Sequence, residues 1–241
     1  MALAIIAGLL LSCSPEGAED ASKEVGQPTS IDLNGKALYS QHQEELIIRD
    51  FFSDRRNGFF LDVGCATPII DSNTYYLEKN LGWSGIAVDA LPEYQKSWQR
   101  KRPRSKFFNY LITDHFRTLE PFYRSELPGI SSYRKPPRGP AGKERAFDEI
   151  HVPTMTLTQL LEQNRASRID LLSMDIEGAE PLALAGFDIE RFQPELACIE
   201  AKPANREAIL KYFAKHGYQR IERYLEYDPM NYYFAPKAGR W

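Results

Sequence analysis

Acidic residues stand at the ends of two successive apolar segments, in a pattern that suits nucleoside binding. The segment 58–63 ends at Asp62-Val63 and runs directly into Gly64. A glycine there lets the backbone approach a ligand closely, and Asp62 can accept hydrogen bonds from a cationic amino group. The next apolar segment ends at Asp89, whose two carboxylate oxygens match the vicinal hydroxyls of a ribose. The alternatives are a plain strand-to-helix turn after Asp62 and an Asp89 side chain that caps a helix starting near Pro92.

A third acidic group follows the apolar segment 169–174 and has the order Asp175, Glu177, Glu180. A carboxylate beside an acceptor can orient its hydroxyl group or take its proton, so Asp175 and Glu177 are the predicted catalytic residues. Glu180 lies one helical turn further along and is less able to reach the same point. The alternative is that one of these acids caps the turn that Gly178 shapes.

Several single residues have two interpretations. Asp114 either contacts an adenine amino group or caps a loop. Glu200 ends another apolar segment and can line an acceptor pocket. His115 and His151 can act as bases near neutral pH, although exposed loop positions are the commoner role for such residues.

Apolar periodicity predicts alternating strands and helices around these acids. Strands are predicted at 58–63, 85–89, 107–113, 169–174, 196–200, 218–224 and 232–235. Helices are predicted at 44–52, at 72–80 with Asp71 or Ser72 as cap, from Pro92 to Pro103, after a Thr156–Gln159 capping box, and from Asn205 to Gly217. This alternation predicts a doubly wound, mostly parallel α/β sheet, in which ligands bind at the carboxyl ends of the strands.

The segment 114–152 is rich in proline, glycine and basic residues and is predicted to be a long, irregular excursion of functional interest. Basic residues cluster at 134–145 within it and at 100–106 before it. Both clusters can guide an anionic acceptor or contact lipid headgroups. A solvated face is the preferred interpretation for the cluster at 100–106, and the choice stays open for the other.

Composition limits the class of protein. The 241 residues carry a formal net charge of −3, and no global basic field favours nucleic acid as a partner. No metal site or disulfide framework is predicted, because the three cysteines are few and scattered. They are Cys13, Cys65 and Cys198.

The N-terminus differs from the rest of the chain. Residues 1–13 form an apolar leader that ends in Leu-Leu-Ser-Cys13 and resembles a lipoprotein signal, although it lacks a basic start. Residues 14–35 are typical of a linker and residues 36–241 of one globular domain. The leader predicts membrane association, either by itself or through a lipidated Cys13. The alternative is an unstructured apolar tail on a cytoplasmic protein.

Four stretches together resemble the FkbM family of methyltransferases, in order and in spacing. They are Tyr-Ser-Gln at 39–41, residues 58–64, residues 72–86, which begin Ser-Asn-Thr-Tyr-Tyr-Leu-Glu-Lys, and residues 169–180, which end Asp-Ile-Glu-Gly-Ala-Glu. The last two stretches are the most specific. The resemblance extends from about Tyr39 to Pro236 and so covers nearly all of the globular part.

The resemblance implies a Rossmann-like class I methyltransferase fold, with a mostly parallel seven-stranded sheet and helices on both faces. It implies S-adenosylmethionine as cofactor and methylation of a hydroxyl group on a glycan, lipid-linked or small-molecule acceptor. Besides the acids Asp62, Asp89 and Asp114, the cofactor contacts that it implies are Gly64, Cys65, Asn73 and Ala90.

One departure bears on activity. The family motif continues with Asn and Gly after its acidic core, whereas this chain has Cys65-Ala-Thr-Pro68, and Pro68 removes a backbone donor. The altered loop and the apolar leader leave one alternative open, a membrane-tethered, non-catalytic binding domain with a methyltransferase fold. A nicotinamide-dependent reductase is disfavoured, because the Gly-x-Gly-x-x-Gly turn is absent. The sequence predicts no oligomeric state.

Overall fold

A computed structural model describes residues 35–126, 131–135 and 147–238. The predicted leader with Cys13, almost all of the predicted linker, and much of the basic cluster at 134–145 lie outside these residues. The division of the chain into leader, linker and domain therefore stays a prediction. Within the described residues, no helix combines the length and the apolar character that a bilayer span requires.

The chain alternates between strands and helices. The strands are β1 Phe59–Val63, β2 Ser84–Asp89, β3 Ser105–Asn109, β4 Leu111–Ile112, β5 Leu119–Ser125, β6 Phe147–Met155, β7 Leu171–Met174, β8 Leu196–Glu200, β9 Tyr218–Arg220 and β10 Asn231–Pro236. The α-helices are α1 Glu44–Phe52, α2 Tyr75–Leu81, α3 Gln95–Lys101, α4 Leu157–Gln163, α5 Glu180–Ala185, α6 Ile189–Phe192 and α7 Arg206–Lys215. Short 3-10 helices cover Pro92–Tyr94 and Glu222–Glu226.

Seven strands form one sheet in the order β3-β2-β1-β7-β8-β10-β9. All neighbours are parallel except β10, which runs antiparallel to both β8 and β9. The chain moves outward from β1 to β3 and then returns to place β7 on the other side of β1. Strand order therefore reverses between β1 and β7, and ligands bind at the carboxyl ends of strands at such a point.

Helices cover both faces of this sheet, because successive strand residues point to opposite sides. Phe60 of β1 packs with side chains of α1 and α2. Its neighbours Leu61 and Val63 pack with α4, α5, α6 and α7 on the other face. The predicted doubly wound, mostly parallel seven-stranded sheet with helices on both faces is confirmed.

The predicted irregular excursion at 114–152 is wrong in its described part. There β5 and β6 form an antiparallel pair, with Leu119 opposite Pro153 and Ser125 opposite Phe147. Prolines within both strands obscured the strand pattern, since proline removes a ladder hydrogen bond. The strand predicted at 107–113 is also divided, because β3 pairs with β2 whereas β4 pairs with β6 in a separate three-stranded sheet.

Smaller differences concern helix and strand ends. The helix predicted from residue 72 starts at Tyr75. Thr74 occupies the N-cap position, but its side chain makes no capping hydrogen bond. Asn205 precedes α7 without capping it through its side chain. Thr156 does cap α4, by accepting from the Gln159 amide at 3.1 Å, but the Gln159 side chain bonds to Glu162 instead of completing the box. The strand predicted at 218–224 ends at Arg220, before a 3-10 helix.

Candidate active site

A cavity of about 390 Å³ opens at the carboxyl ends of the central parallel strands. Gly64 follows β1, Asp89 ends β2, Asp175 follows β7 and Glu200 ends β8, and all four residues line this cavity. The sheet order thus brings together acids that are far apart in the sequence. Volumes of this size are typical of small-molecule sites.

Gly64 lies in close contact with the turn after β7. Its φ is +79°, in the left-handed region that favours glycine, and its amide donates to the Val88 carbonyl at 2.9 Å. A Cβ atom at this position would lie 1.8 Å from the backbone oxygen of Asp175. The sequence predicted a close approach between Gly64 and a ligand, and the structure places the Asp175 backbone against it.

Asp89 is held in the cavity wall by two backbone donors. Its Oδ1 accepts from the Leu91 amide at 2.8 Å, and its Oδ2 accepts from the Ala66 amide at 2.9 Å. A carboxylate offers about four lone-pair positions, so each oxygen keeps one for a ligand. Burial raises the pKa of Asp89 to about 6, although both amide hydrogen bonds favour the charged form. The 3-10 helix after it begins at Pro92 with no side-chain cap, so Asp89 is not a helix cap there.

An apolar wall adjoins Asp89. Ala90 and Leu91 are buried against Phe122, which β5 contributes from the second sheet, and Tyr94 packs on the same cluster. All four of these residues line the cavity, as does Tyr133. Burial raises the pKa of the Tyr94 hydroxyl to about 12, so this ring stays neutral. A flat, apolar ring system can lie against such a wall beside a carboxylate.

Asp62 and Asn73 lie in a smaller cavity of about 40 Å³ that also borders Gly64 and Asp175. Asp62 Oδ2 accepts from the Thr74 hydroxyl at 2.6 Å. Burial raises the pKa of Asp62, and the Thr74 hydrogen bond and the charge of Arg102 oppose that rise. Asn73 Nδ2 donates to Ser173 Oγ at 3.1 Å.

Arg102 is a buried cation behind this smaller cavity. Its Nε is 2.7 Å from Glu78 Oε2, its Nη2 donates to Thr74 Oγ1 at 3.0 Å, and its Nη1 donates to the Pro68 carbonyl at 3.0 Å. The guanidinium also stacks 4.3 Å from the Trp98 ring centroid. The interpretation of the basic cluster at 100–106 as a solvated face is therefore wrong for Arg102, although its basic neighbours are exposed.

The loop that departs from the family motif is tied to the same region. Cys65 is buried against Ala87 and Trp98, and burial raises its thiol pKa well above the usual value. The Trp98 indole donates to the Ala66 carbonyl at 2.8 Å. Together with the Arg102 bond to Pro68, these contacts fix the loop, so the loss of a donor at Pro68 does not leave it unsupported.

Asp175, Glu177 and Glu200 form a compact group in the cavity, in which one carboxylate oxygen of each lies within 4.8 Å of the other two. Lys202 Nζ pairs with Glu177 Oε2 and lies 3.4 Å from Glu200 Oε2. Burial, followed by the charge of Asp175, raises the pKa of Glu200 to about 8. Burial, followed by the charge of Glu177, raises the pKa of Asp175 to about 6. Asp175 is exposed to water inside the cavity. The surrounding protein atoms still desolvate its carboxyl group, which is why its pKa rises.

Glu180 supports the turn that carries this group. It is fully buried, and its Oε1 accepts from the amides of Ile176 and Gly178 at 3.1 and 3.2 Å. Glu177 has a φ of +57°, which is unusual for a residue other than glycine, and Gly178 has a φ of +96°. The acidic motif thus divides into residues that line the cavity and one that shapes the turn.

Asp114 and the two histidines lie elsewhere. Asp114 is exposed and its Oδ1 is 2.7 Å from His115 Nδ1, a contact that raises the pKa of His115. His151 is exposed on β6, opposite Pro121. None of these three residues lines either of the two cavities.

Several cavity residues were not predicted. Gln41 and His42 line the end near Glu200, where Glu44 accepts from the His42 amide at 2.7 Å and from Asn231 Nδ2 at 3.0 Å. The Tyr-Ser-Gln stretch at 39–41 belonged to the resemblance and was the only signal for this edge. Lys202 had no signal, because its role depends on the distant Glu177.

The comparisons with known proteins agree with this arrangement. A methyltransferase FkbM domain model matches residues 62–220. No curated protein matches the chain significantly. Among solved structures, a TehB-like SAM-dependent methyltransferase from Corynebacterium glutamicum is similar to this chain, at 15% identity and a TM-score of 0.44, covering 85% of this chain and 91% of the other.

Two further solved structures are similar to this chain. A SAM-dependent methyltransferase from Geobacter sulfurreducens, in complex with S-adenosyl-L-homocysteine, has 8% identity and a TM-score of 0.40, covering 83% of this chain and 94% of the other. The precorrin-6y C5,15-methyltransferase from Geobacter metallireducens has 9% identity and a TM-score of 0.42, covering 73% and 71%.

Proposed function

Since the chain belongs to the FkbM methyltransferase family, we propose that it transfers the methyl group of S-adenosylmethionine to a hydroxyl oxygen. The acceptor is a glycan, a lipid-linked molecule or another small molecule. The observation that carries this proposal is the single cavity that joins the pinned carboxylate of Asp89 to the acids at Asp175 and Glu200. One end of the cavity suits a nucleoside, and the other suits a group that gives up a proton.

The residues present fit the cofactor. The two free lone-pair positions of Asp89 suit the two ribose hydroxyls, and Ala90, Leu91, Tyr94 and Phe122 offer an apolar wall for the adenine ring. Gly64 lines the cavity between this wall and Asp175, and its lack of a side chain lets the turn after β7 lie directly against it. Asp62 and Asn73 lie behind Gly64, where they would support the amino acid end.

Bound S-adenosylmethionine supplies a methyl group that its sulfonium already activates, so the protein mainly has to position and deprotonate the acceptor. The acids after β7 and β8 do this. A carboxylate of the Asp175–Glu177–Glu200 group accepts a hydrogen bond from the acceptor hydroxyl and receives its proton as the new carbon–oxygen bond forms. Negative charge at this end also favours a sulfonium in the cavity.

Cofactor binding is the first test. Calorimetric titration of S-adenosylmethionine into the full-length protein is expected to give micromolar affinity, and Asp89→Ala is expected to weaken it at least about tenfold by removing two hydrogen bonds to the ribose. Asp148→Ala, an exposed acid on β6, serves as the control and is expected to bind like the wild type. Failure of the wild type to bind would instead support the non-catalytic binding domain.

The chemistry of the acceptor needs its own test. Cell extracts separated into glycan, lipid and small-molecule fractions would be incubated with the protein and methyl-labelled S-adenosylmethionine. Label in an alkali-stable methyl ether is the expected result. Label on nitrogen or carbon would overturn O-methylation while leaving methyl transfer intact.

The membrane tether remains part of the proposal. It depends on the apolar leader and Cys13, which lie outside the described residues. Cell fractionation of the wild type and of Cys13→Ser tests it: release from the membrane by the substitution supports lipidation. Wild-type protein found only in the cytosolic fraction would contradict the tether.

A further inference from the structure

We propose that Asp175, Glu177 and Glu200 form a binding site for a divalent cation at the acceptor end of the cavity. The three residues come from the turn after β7 and the end of β8, and each brings a carboxylate oxygen within 4.8 Å of the others. Oxygen ligands on one Ca²⁺ lie up to about 5 Å apart, so this spacing suits Ca²⁺ as it stands, whereas Mg²⁺, with ligands up to about 4 Å apart, requires the acids to draw closer together.

Glu200 gives an independent reason to expect a ligand. Its residue exposure is only 8%, and its buried Oε2 atom accepts no hydrogen bond. A buried carboxylate oxygen without a hydrogen bond is costly, because it has lost water and gained no partner of equal strength. Since Glu200 lines the cavity, a ligand there can supply what this oxygen lacks.

The charge balance of the group points to a cation. Three carboxylates line the cavity here, and Glu180 lies fully buried beneath them. Among the described residues, Lys202 supplies the ammonium group in contact with them, and its Nζ lies against Glu177 and 3.4 Å from Glu200 Oε2. Three carboxyl groups thus share one ammonium group, and a cation that enters would stabilise the ionised form of all three.

The position of the Lys202 ammonium group indicates where a cation would bind. Its ammonium lies between two of the three carboxylates, while a third of its side chain is exposed. A lysine has a flexible four-carbon stem, so it can withdraw into water when a doubly charged ion enters. Lys202 therefore competes with the cation, and removing it is expected to strengthen metal binding.

A cation here would have a direct role in the proposed reaction. An acceptor hydroxyl bound to it would lose its proton more readily, because the metal stabilises the oxyanion. This role rests on the proposed function, whereas metal binding does not. Binding can be measured without knowing the acceptor, so the two ideas can fail separately.

The test is a titration of Mn²⁺ into the full-length protein, followed by electron paramagnetic resonance of the free ion, with calorimetry for Mg²⁺ and Ca²⁺. One strong site per chain is expected. Asp175→Asn and Glu200→Gln are each expected to weaken it at least about tenfold, because affinity for hard cations depends on the number of charged oxygen ligands. Glu149→Gln, an exposed acid on β6, is the matched control and is expected to bind like the wild type.

The Lys202→Met variant provides the sharpest comparison, since its expected effect is a severalfold gain in Mn²⁺ affinity. Loss of folding cannot produce a gain, and circular dichroism would confirm that the other variants are folded. The proposal is overturned if the wild type binds no cation, if Glu200→Gln and Glu149→Gln bind alike, or if Lys202→Met does not bind more tightly. Any of these results would leave the acids to act on the acceptor directly.

Discussion

The acids at the ends of β1 and β2 are held differently from those at the ends of β7 and β8. Asp62 and Asp89, at the ends of β1 and β2, accept hydrogen bonds from donors that the fold keeps in place. Asp175 and Glu200, at the ends of β7 and β8, face each other instead, with Lys202 beside Glu200. Fixed donors suit a carboxylate that must hold a neutral diol without moving. Crowded acids suit a site that takes up a proton or a cation.

The largest expected effect concerns Arg102, which donates to Thr74, the residue whose hydroxyl binds Asp62. Arg102→Met leaves Glu78 buried without its cation, and loss of one partner of a buried ion pair costs about 3–5 kcal/mol of unfolding free energy. Arg100→Met, which changes an exposed arginine two residues earlier, is expected to stay within about 0.5 kcal/mol of the wild type. Denaturant unfolding measures both. Equal unfolding free energies for the two variants would show that the buried contacts of Arg102 contribute little to stability.

The next largest effect on stability is expected at the contact between Gly64, after β1, and Asp175, after β7. Gly64→Ala adds a Cβ atom where only 1.8 Å separates it from the Asp175 backbone oxygen, so the turn after β7 must move. Gly178→Ala shares the positive φ but meets nothing within 4 Å. We expect Gly64→Ala to lose about 1–3 kcal/mol more stability than Gly178→Ala, because overpacking adds to strain. Thermal unfolding compares them, and equal losses would mean that the contact is easily relaxed.

The affinity for S-adenosylmethionine is expected to depend on pH through Asp89. Burial raises the pKa of Asp89 to about 6, and the charged form is the better acceptor for ribose hydroxyls. Affinity for S-adenosylmethionine is expected to rise as pH increases through 6 and to level off above it. In the free protein the same ionisation lowers stability between about pH 4 and 6, because a raised carboxyl pKa favours the folded state only while the group is protonated.

Titration calorimetry between pH 5 and 8 measures this dependence. Asp89→Asn cannot ionise, so its weaker binding is expected to change little across this range. A wild-type affinity that is independent of pH near 6 would argue against Asp89 as the ribose ligand.

The smallest expected effect concerns Lys202. Partly exposed ion pairs contribute about 0.2–1 kcal/mol, so Lys202→Met is expected to change the unfolding free energy by no more than about 1 kcal/mol. Arg102 and Lys202 both contact carboxylates, but only Arg102 is fully buried. Denaturant unfolding of the two variants side by side tests the contrast. A loss for Lys202→Met as large as that for Arg102→Met would contradict it.

Sequence patterns were enough to place Asp62, Asp89 and Asp175 at strand ends, because short apolar runs bounded by turn residues identify buried parallel strands. They also predicted that the strands would form one mostly parallel sheet. The convergence of Asp89, Asp175 and Glu200 on one cavity follows from that sheet order, which the alternation of elements implied.

Other features depended on distant contacts. Arg102 stands among exposed basic residues, and its burial depends on partners such as Glu78, Thr74 and Pro68, which lie more than 20 residues earlier in the chain. The antiparallel pairing of β5 with β6 was missed because each strand contains a proline, which is unusual within a β-ladder. Asp114 follows β4, a strand that belongs to the second sheet, so its position at a strand end did not bring it to the cavity.

The contact between Gly64 and the Asp175 carbonyl has a thermodynamic consequence. Because the two turns touch with no space for a side chain, neither can shift without displacing the other. A ligand that orders the turn after β1 therefore also orders the turn after β7, and the acceptor end then loses less entropy when it is occupied. Linkage makes the effect reciprocal: the free energy by which one ligand favours the other is the same whichever binds first.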